Sequence, residues 1–214
     1  MSNINEWNKY YELNMNKKPF VAESFVARCF LSQRPVKMLS HYNFKKKKIL
    51  DIGCGDGRHI DFFEKLKFNV FGVEISNQQV VILKERFPNS TFREGKSVDL
   101  PFENNFFDYL VAINSIYYLE DNTTIEDNIY QCASKIKKGG IMLLSFIGKK
   151  HFIFSKNQTH QCKGNVKIKS IDSQDELEEI FTRIPNLKID MIGYIQDELN
   201  GYNREIYYAV VSKV

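Results

Sequence analysis

From residue 45 onward, short apolar runs alternate with segments of helical periodicity. Runs this continuous are typical of strands that helices cover on both faces of a parallel sheet. The alternation therefore predicts an α/β fold with a mostly parallel sheet. The strand-like runs are "KILDIG", "NVFGVEI", "TFREG", "FDYLVAI" and "GIMLLSFI".

The C-terminal end of the chain follows a different pattern. Two strand-like segments, "LKIDMIGYI" and "REIYYAVVSKV", are separated only by the turn-forming "ELNGYN". No helical pattern lies between them, so they are expected to pair antiparallel. The sheet should therefore end in an antiparallel hairpin.

A glycine-rich turn follows the first predicted strand, with Gly53, Gly55 and Gly57 at alternate positions. A dinucleotide site uses GxGxxG, and Arg58 stands where its third glycine would be. The GxGxG spacing still lets backbone approach a ligand, but it suits a diphosphate poorly. Glu74 ends the second predicted strand, where a carboxylate can accept hydrogen bonds from ribose hydroxyls. These features favour a nucleoside ligand with an amino-acid group in place of a pyrophosphate.

Four segments in this order and spacing resemble the class I S-adenosylmethionine (SAM)-dependent methyltransferases, especially the small-molecule branch. The segments are "ILDIGCGDGRHI", "VFGVEIS", "LPFENNFFDYLVAINSIYYLED" and "KKGGIMLLSF". The resemblance covers residues 45–147 and extends in part to the terminal hairpin. It implies a Rossmann-like sheet of seven strands in the order 3214576, with strand 7 antiparallel, and SAM as the cofactor.

The resemblance also implies roles for individual residues. Asp51 would orient the glycine turn and bind the methionine amino group, Glu74 would bind the ribose, and Ile75 would pack on the adenine. Backbone at Asn114 and Ser115 would contact the methionine portion. The residues assigned to the cofactor are Asp51, Gly53, Gly55, Gly57, Glu74, Ile75, Ser97, Val98, Asn114 and Tyr11.

One position departs from the family pattern. Many relatives carry an aspartate after the third strand that meets the adenine amino group, whereas this chain has Lys96. An ammonium group only donates hydrogen bonds, so Lys96 cannot replace that contact. We expect backbone at Ser97 and Val98 to contact the adenine. Its amino group should meet another carboxylate, of which Asp99 is the nearest in sequence, or water.

Methyl transfer is an in-line displacement that depends mainly on holding donor and acceptor in line. A base is needed only for a poorly acidic hydroxyl or a protonated amine. His160, in the long connection 148–172, is the candidate base, with His151 second and a solvated loop histidine as the alternative. Tyr118 is the candidate acceptor-facing residue, although both it and Tyr117 could be core aromatics.

The chain is expected to form a single methyltransferase domain, residues 1–214. Residues 1–44 are predicted to be an N-terminal helical lid segment, 45–214 the SAM-binding core, and 148–172 the acceptor loop. The lid hypothesis rests on Trp7 and its neighbouring tyrosines, and a helix packed on the sheet edge is the alternative.

Composition limits the expected partners. The net charge is only +4, and "KKKK" before the first strand lacks interleaved aromatics, so a nucleic-acid partner is not expected. The four cysteines are scattered, which predicts reduced thiols and no metal site. No signal sequence and no membrane-crossing run are visible, so a cytoplasmic protein is expected. The oligomeric state is not predicted.

The sequence therefore predicts an enzyme that transfers a methyl group from SAM to a small-molecule acceptor: a metabolite, a sugar or a nucleotide-linked intermediate. Two alternatives remain. An aminopropyl transferase uses the same fold, but its family carries an acidic Asp-x-x-Asp cluster where this chain has "INSIYYLED". A nucleoside-binding protein without catalysis is the other alternative.

Overall fold

The computed structural model describes residues 4, 5, 7, 8, 22–31, 43–154, 167–199 and 201–214. Residues 4, 5, 7 and 8 are helical, as the spacing of the N-terminal apolar residues predicts. The other helices are α1 (Ser24–Leu31), α2 (Ile60–Lys65), α3 (Asn77–Arg86), α4 (Ile125–Lys135) and α5 (Gln174–Thr182), with a 3₁₀ turn at Phe152–Phe154. The strands are β1 (Lys48–Ile52), β2 (Asn69–Glu74), β3 (Thr91–Glu94), β4 (Phe107–Ala112), β5 (Tyr118–Leu119), β6 (Ile136–Ile147), β7 (Lys167–Ile168), β8 (Leu187–Leu199) and β9 (Tyr202–Lys213).

The main sheet has seven strands in the order β3-β2-β1-β4-β6-β9-β8. Strands β1 to β4 and β6 pair in parallel, whereas β9 is antiparallel to both of its neighbours. Counted along the chain, this is the predicted order 3214576 with strand 7 antiparallel, so the predicted fold class is confirmed. The antiparallel strand lies between β6 and the edge strand β8.

Two apolar layers cover the two faces of the sheet. Residues of α4 and α5 pack with Leu50 and Ile52 of β1, whereas residues of α1, α2 and α3 pack with Ile49. Because side chains alternate along a strand, Asp51 lies on the same face as Ile49, the face that α1 and α2 cover. None of the described helices has the length and apolar character needed to cross a bilayer.

Two features were not predicted. The strands β5 and β7 form a separate antiparallel pair. In addition, β6 begins at Ile136, directly after α4, rather than at the predicted Gly140. The Lys213 ammonium stabilises this abrupt change by donating to the carbonyl oxygens of Ala133 (2.9 Å) and Ile136 (3.0 Å).

Two serine hydroxyls connect the carboxyl ends of the central strands. Ser115, which follows β4, donates to the carbonyl oxygen of Ile52 at the end of β1 (2.6 Å). Ser145 on β6 accepts a hydrogen bond from the backbone N–H of Asn114 (2.8 Å). The ends of β1, β4 and β6 are therefore held together, and the segments that follow them start from fixed positions.

We predict that Ser145→Ala lowers the free energy of unfolding by roughly 1–2 kcal/mol, because the Asn114 N–H loses its acceptor. Urea denaturation measures the change. Thr182→Ala is the control, because within the described part of the chain its exposed hydroxyl bonds only to Glu179 of its own helix, and about 0.5 kcal/mol or less is expected. Equal losses in the two variants would contradict the proposed connection.

Candidate active site

The glycine turn between β1 and α2 has a left-handed backbone at all three predicted glycines. Their φ angles are +64° at Gly53, +57° at Gly55 and +84° at Gly57, a region that other residues rarely adopt. A Cβ on Gly53 would lie 2.4 Å from Ser115 Cβ, and one on Gly57 would lie 2.4 Å from the Phe87 ring. Backbone conformation and packing therefore require these glycines, in addition to any contact with a ligand.

Glu74 holds this turn against the end of β2. Its side chain is buried. One carboxylate oxygen accepts the backbone N–H of Gly55 (3.0 Å), and the other accepts those of Ile75 (2.9 Å) and Ser76 (3.3 Å). Hydrogen bonds from several backbone N–H groups favour the charged form of a carboxylate. Glu74 thus stabilises the turn directly, and its predicted contact with a ribose stays a prediction.

The turn has a negative electrostatic environment. The Cys54 thiol lies inside the turn, and burial raises its pKa well above the ordinary value, with further increases from the charges of Asp51, Glu74 and Asp56. The carboxylates that disfavour a Cys54 thiolate would also repel a diphosphate. They would attract a cation. The charge of the turn therefore agrees with its GxGxG spacing in disfavouring a dinucleotide.

Asp51 has a buried oxygen with an unused hydrogen-bonding capacity. Only 1% of the residue is exposed, and its Oδ2 accepts no hydrogen bond from the described residues. The Nδ1 atom of His59 lies 3.7 Å from it, beyond hydrogen-bond distance. A buried carboxylate oxygen requires a donor to offset its desolvation, so the ammonium group of an amino-acid ligand fits this position. Within the described residues, no three His, Cys, Asp or Glu side chains are grouped to hold a metal ion.

The predicted adenine side is formed by the segment after β3. Lys96 is turned toward Glu120, with 3.0 Å between Nζ and Oε2. Its carbonyl oxygen accepts the N–H of Asp99 (3.0 Å), whose side chain is exposed. The turn between them carries Ser97 and Val98, which are partly buried, and their contact with the adenine stays a prediction.

The predicted acceptor side lies beyond β4. Tyr117 is buried, whereas Tyr118 is half-buried and meets the Trp7 ring edge to face, with 5.1 Å between ring centroids. Trp7 therefore lies close to β5, and the lid hypothesis stays a prediction beside its alternative of a helix packed on the sheet edge. Tyr11 and the candidate base His160 lie outside the described residues.

The returning end of the 148–172 loop is fixed at two points. The Lys169 N–H donates to the carbonyl oxygen of Tyr117 (3.0 Å), and the Ile171 N–H donates to that of Ile147 (2.8 Å). This end of the loop thus runs from the residue before β5 to the end of β6. Its predicted role in forming the acceptor site stays a prediction.

The other loop histidine, His151, is buried and accepts a backbone hydrogen bond. The residue is 7% exposed, and its Nδ1 accepts the N–H of Ile153 (3.3 Å). Its role as the second candidate base stays a prediction, as does that of His160.

Comparison with known proteins agrees with this geometry. Residues 49–140 match a family model described as "Methyltransferase domain". The ubiquinone/menaquinone biosynthesis C-methyltransferase UbiE of Campylobacter jejuni is 30% identical over 115 residues, which are 50% of this chain and 48% of that protein. Over residues 49–140 the chain is therefore similar to methyltransferase domains. The chain spans about half the length of this curated relative.

Solved structures share the fold of this chain. A SAM-dependent methyltransferase from Methanosarcina mazei superposes with a TM-score of 0.68 at 16% identity, over 91% of this chain and 99% of that one. Phosphoethanolamine N-methyltransferase 2 of Haemonchus contortus, solved with phosphomonomethylethanolamine and S-adenosylhomocysteine, has a TM-score of 0.67 at 15% identity. The superposition covers 100% of this chain and 60% of the Haemonchus contortus chain.

Sequence reasoning missed one buried acid that stabilises the acceptor side of the methyltransferase fold. Glu205 is the fourth residue of β9 and is 6% exposed. Its carboxylate accepts the N–H of Lys150 (2.6 Å) and the hydroxyl of Tyr194 (2.9 Å), and a Cβ on Gly148 would lie 2.3 Å from it. The available signal was a charged residue in an otherwise apolar strand, "REIYYAVV".

We predict that Glu74→Ala lowers the free energy of unfolding by about 2 kcal/mol or more, because three backbone N–H groups lose a charged acceptor. Urea denaturation without ligand measures this loss. The matched control is Glu94→Ala, at the paired position on β3, where an exposed side chain bonds Asn77 alone among the described residues. We expect about 0.5 kcal/mol or less there. A Glu74→Ala protein as stable as the control would show that the carboxylate does not hold the turn.

Proposed function

We propose that the protein is an enzyme that transfers a methyl group from SAM to a small-molecule acceptor by in-line displacement. The observation that carries this proposal is the negative turn around Cys54, with the unsatisfied Asp51 oxygen at its base. SAM is a nucleoside with an ammonium and a sulfonium group, so its charge complements this turn where that of a dinucleotide does not.

The residues present fit this cofactor. Asp51 would bind the ammonium group, the glycines would lie against the ligand, and Glu74 would keep the turn in its binding conformation. Ile75, Ser97, Val98 and Asn114 stand at the ends of β2, β3 and β4, where the nucleoside and methionine portions are expected. Once bound, SAM supplies a methyl group on a positively charged sulfur.

The protein contributes to methyl transfer mainly by positioning the reactants and excluding water, and less by proton transfer. The sulfur leaves as a neutral thioether, so no residue must protonate it. Tyr118, Trp7 and the returning end of the 148–172 loop border the acceptor edge and would align the incoming nucleophile. His160 would take a proton only if the acceptor carries one that solvent does not remove.

A small-molecule acceptor is supported by what similar proteins are named for. UbiE is named for ubiquinone and menaquinone biosynthesis, and the Haemonchus contortus structure contains phosphomonomethylethanolamine. The mild charge of +4 also offers no strong attraction to a polyanion. The acceptor's nucleophilic atom is left to experiment.

The first experiment measures cofactor binding by calorimetric titration with SAM and S-adenosylhomocysteine, with NADH as the dinucleotide comparison. We predict binding of the first two only. Asp51→Asn should weaken S-adenosylhomocysteine binding by about tenfold to a hundredfold, through loss of a charge-assisted hydrogen bond. Gly55→Val should abolish it, since the left-handed backbone of the turn cannot be kept.

Asp61→Asn is the matched control for Asp51→Asn, because this exposed acid on α2 pairs only with Lys65 among the contacts described for it. It should bind as the unchanged protein does. Tight binding of NADH, or no effect of Asp51→Asn, would contradict the proposed cofactor site.

A further experiment separates the two roles of Glu74. We predict that the unchanged protein binds 2′-deoxy-S-adenosylhomocysteine about tenfold more weakly than S-adenosylhomocysteine, because one charged hydrogen bond to the ribose is lost. Glu74→Gln should bind the two ligands within about threefold of each other, as a neutral amide accepts a weaker bond. The same ratio in both proteins would leave Glu74 with its role in the turn alone.

The catalytic step is tested by incubating the protein with SAM and a panel of quinol, sugar, amine and phenol acceptors. Mass spectrometry detects the methylated product together with S-adenosylhomocysteine. Product formation that Asp51→Asn reduces and Asp61→Asn preserves would support methyl transfer. Cofactor binding without turnover across a broad panel would favour the nucleoside-binding alternative.

A further inference from the structure

The start of α1 contacts the cofactor turn through one buried histidine. Glu23 immediately precedes α1, and its backbone N–H points at Nε2 of His59 at 3.4 Å. His59 lies just before α2, is 3% exposed, and directs Nδ1 toward Oδ2 of Asp51 at 3.7 Å. A single imidazole thus lies between a helix of the N-terminal region and the carboxylate proposed to bind the cofactor.

This arrangement favours one tautomer of the neutral ring. If Nε2 accepts the Glu23 N–H, the neutral imidazole carries its proton on Nδ1. The Nδ1–H group then faces Asp51 Oδ2 across 3.7 Å, and this oxygen accepts no hydrogen bond from the described residues. If α1 moved away, Nε2 would lose its donor and the preference for this tautomer would be lost.

The side chain of Glu23 keeps the start of α1 in place. Its carboxylate lies 3.1 Å from Arg204 and 3.8 Å from Arg58. Arg204 also makes two hydrogen bonds to Asp197 (2.8 and 2.7 Å), so the β8–β9 hairpin presents it as a rigid fork. The hairpin, α1 and the cofactor turn are consequently connected through Glu23 and His59.

We propose that His59 is a positioning residue that couples the docking of α1 to cofactor binding at Asp51. This inference rests on the proposed role of Asp51. With α1 docked, the Nδ1–H group faces the Asp51 carboxylate at 3.7 Å, and the dipole of this group favours the carboxylate position that receives the ammonium group of the ligand. Coupling of this kind is reciprocal, so the bound ligand must strengthen the docking of α1 by the same factor.

Two substitutions of His59 each retain one half of the contact. In His59→Asn the amide nitrogen can replace Nδ1 as the N–H group that faces Asp51, but no acceptor remains for Glu23. In His59→Gln the amide can replace Nε2 as an acceptor for Glu23, but the N–H group that faces Asp51 is lost. Hydrogen exchange of the α1 amides is measured with and without saturating S-adenosylhomocysteine.

In the unchanged protein, the ligand should slow α1 exchange by about fivefold or more. In both His59 variants the effect should fall below about twofold, with circular dichroism showing an intact fold. The coupling is refuted if ligand binding leaves α1 exchange unchanged in the parent protein, or if either variant keeps the full effect.

A second pair of variants isolates the backbone donor. Glu23→Ala and Glu23→Pro both lack the carboxylate, but only proline lacks the N–H group, and proline is tolerated at a helix start. Ligand-dependent protection of α1 should persist in Glu23→Ala and disappear in Glu23→Pro. Equal protection in the two variants would exclude the Glu23 N–H as the link.

A measurement without ligand separates this inference from the proposed function. Nitrogen NMR of histidine-labelled protein reports the tautomer of each of the four histidines, and His59→Asn identifies the signal of His59. We expect the proton on Nδ1 in the parent protein and its partial transfer to Nε2 in Glu23→Pro. A proton on Nε2 in the parent would overturn the coupling, whereas failure to bind S-adenosylhomocysteine would overturn the cofactor assignment.

Discussion

The binding side of this protein depends on one carboxylate. Glu74 reaches from the end of β2 to the backbone of the glycine turn after β1, so two adjacent strand ends act as one unit. The three left-handed glycines are compatible with this position because they allow the chain to reverse direction under Phe87 and beside Ser115. The protein therefore maintains the backbone conformation of the glycine turn by itself, without a cofactor.

The sequence was sufficient to predict the seven-stranded sheet, because its signals are local: continuous apolar runs, helical periodicity and a hairpin with no helix inside it. The order of strands came from the family resemblance. Glu74 and the glycines were correctly placed at strand ends, but their contacts with one another were not foreseen. A carboxylate can accept hydrogen bonds from ribose hydroxyls or from backbone N–H groups. The identity of residue 74 therefore does not show which of the two contacts it makes.

The missed features depend on contacts between distant parts of the chain. Arg204 and Glu23 are 181 residues apart in sequence, and no periodicity connects them. The paired strands β5 and β7 have two residues each, too few for an alternating pattern to register. The two ring nitrogens of His59 are directed at groups on different elements, which only the folded structure shows.

The anchoring of the 148–172 loop bears on how such a protein can diversify. Its returning stem is attached to the residue before β5 and to the end of β6 by backbone hydrogen bonds, which do not depend on the identity of the loop side chains. Replacement of the intervening residues can therefore leave the sheet and the glycine turn unaffected. Exchange of this segment between homologues offers a route by which acceptor preference evolves, or is engineered, independently of cofactor recognition.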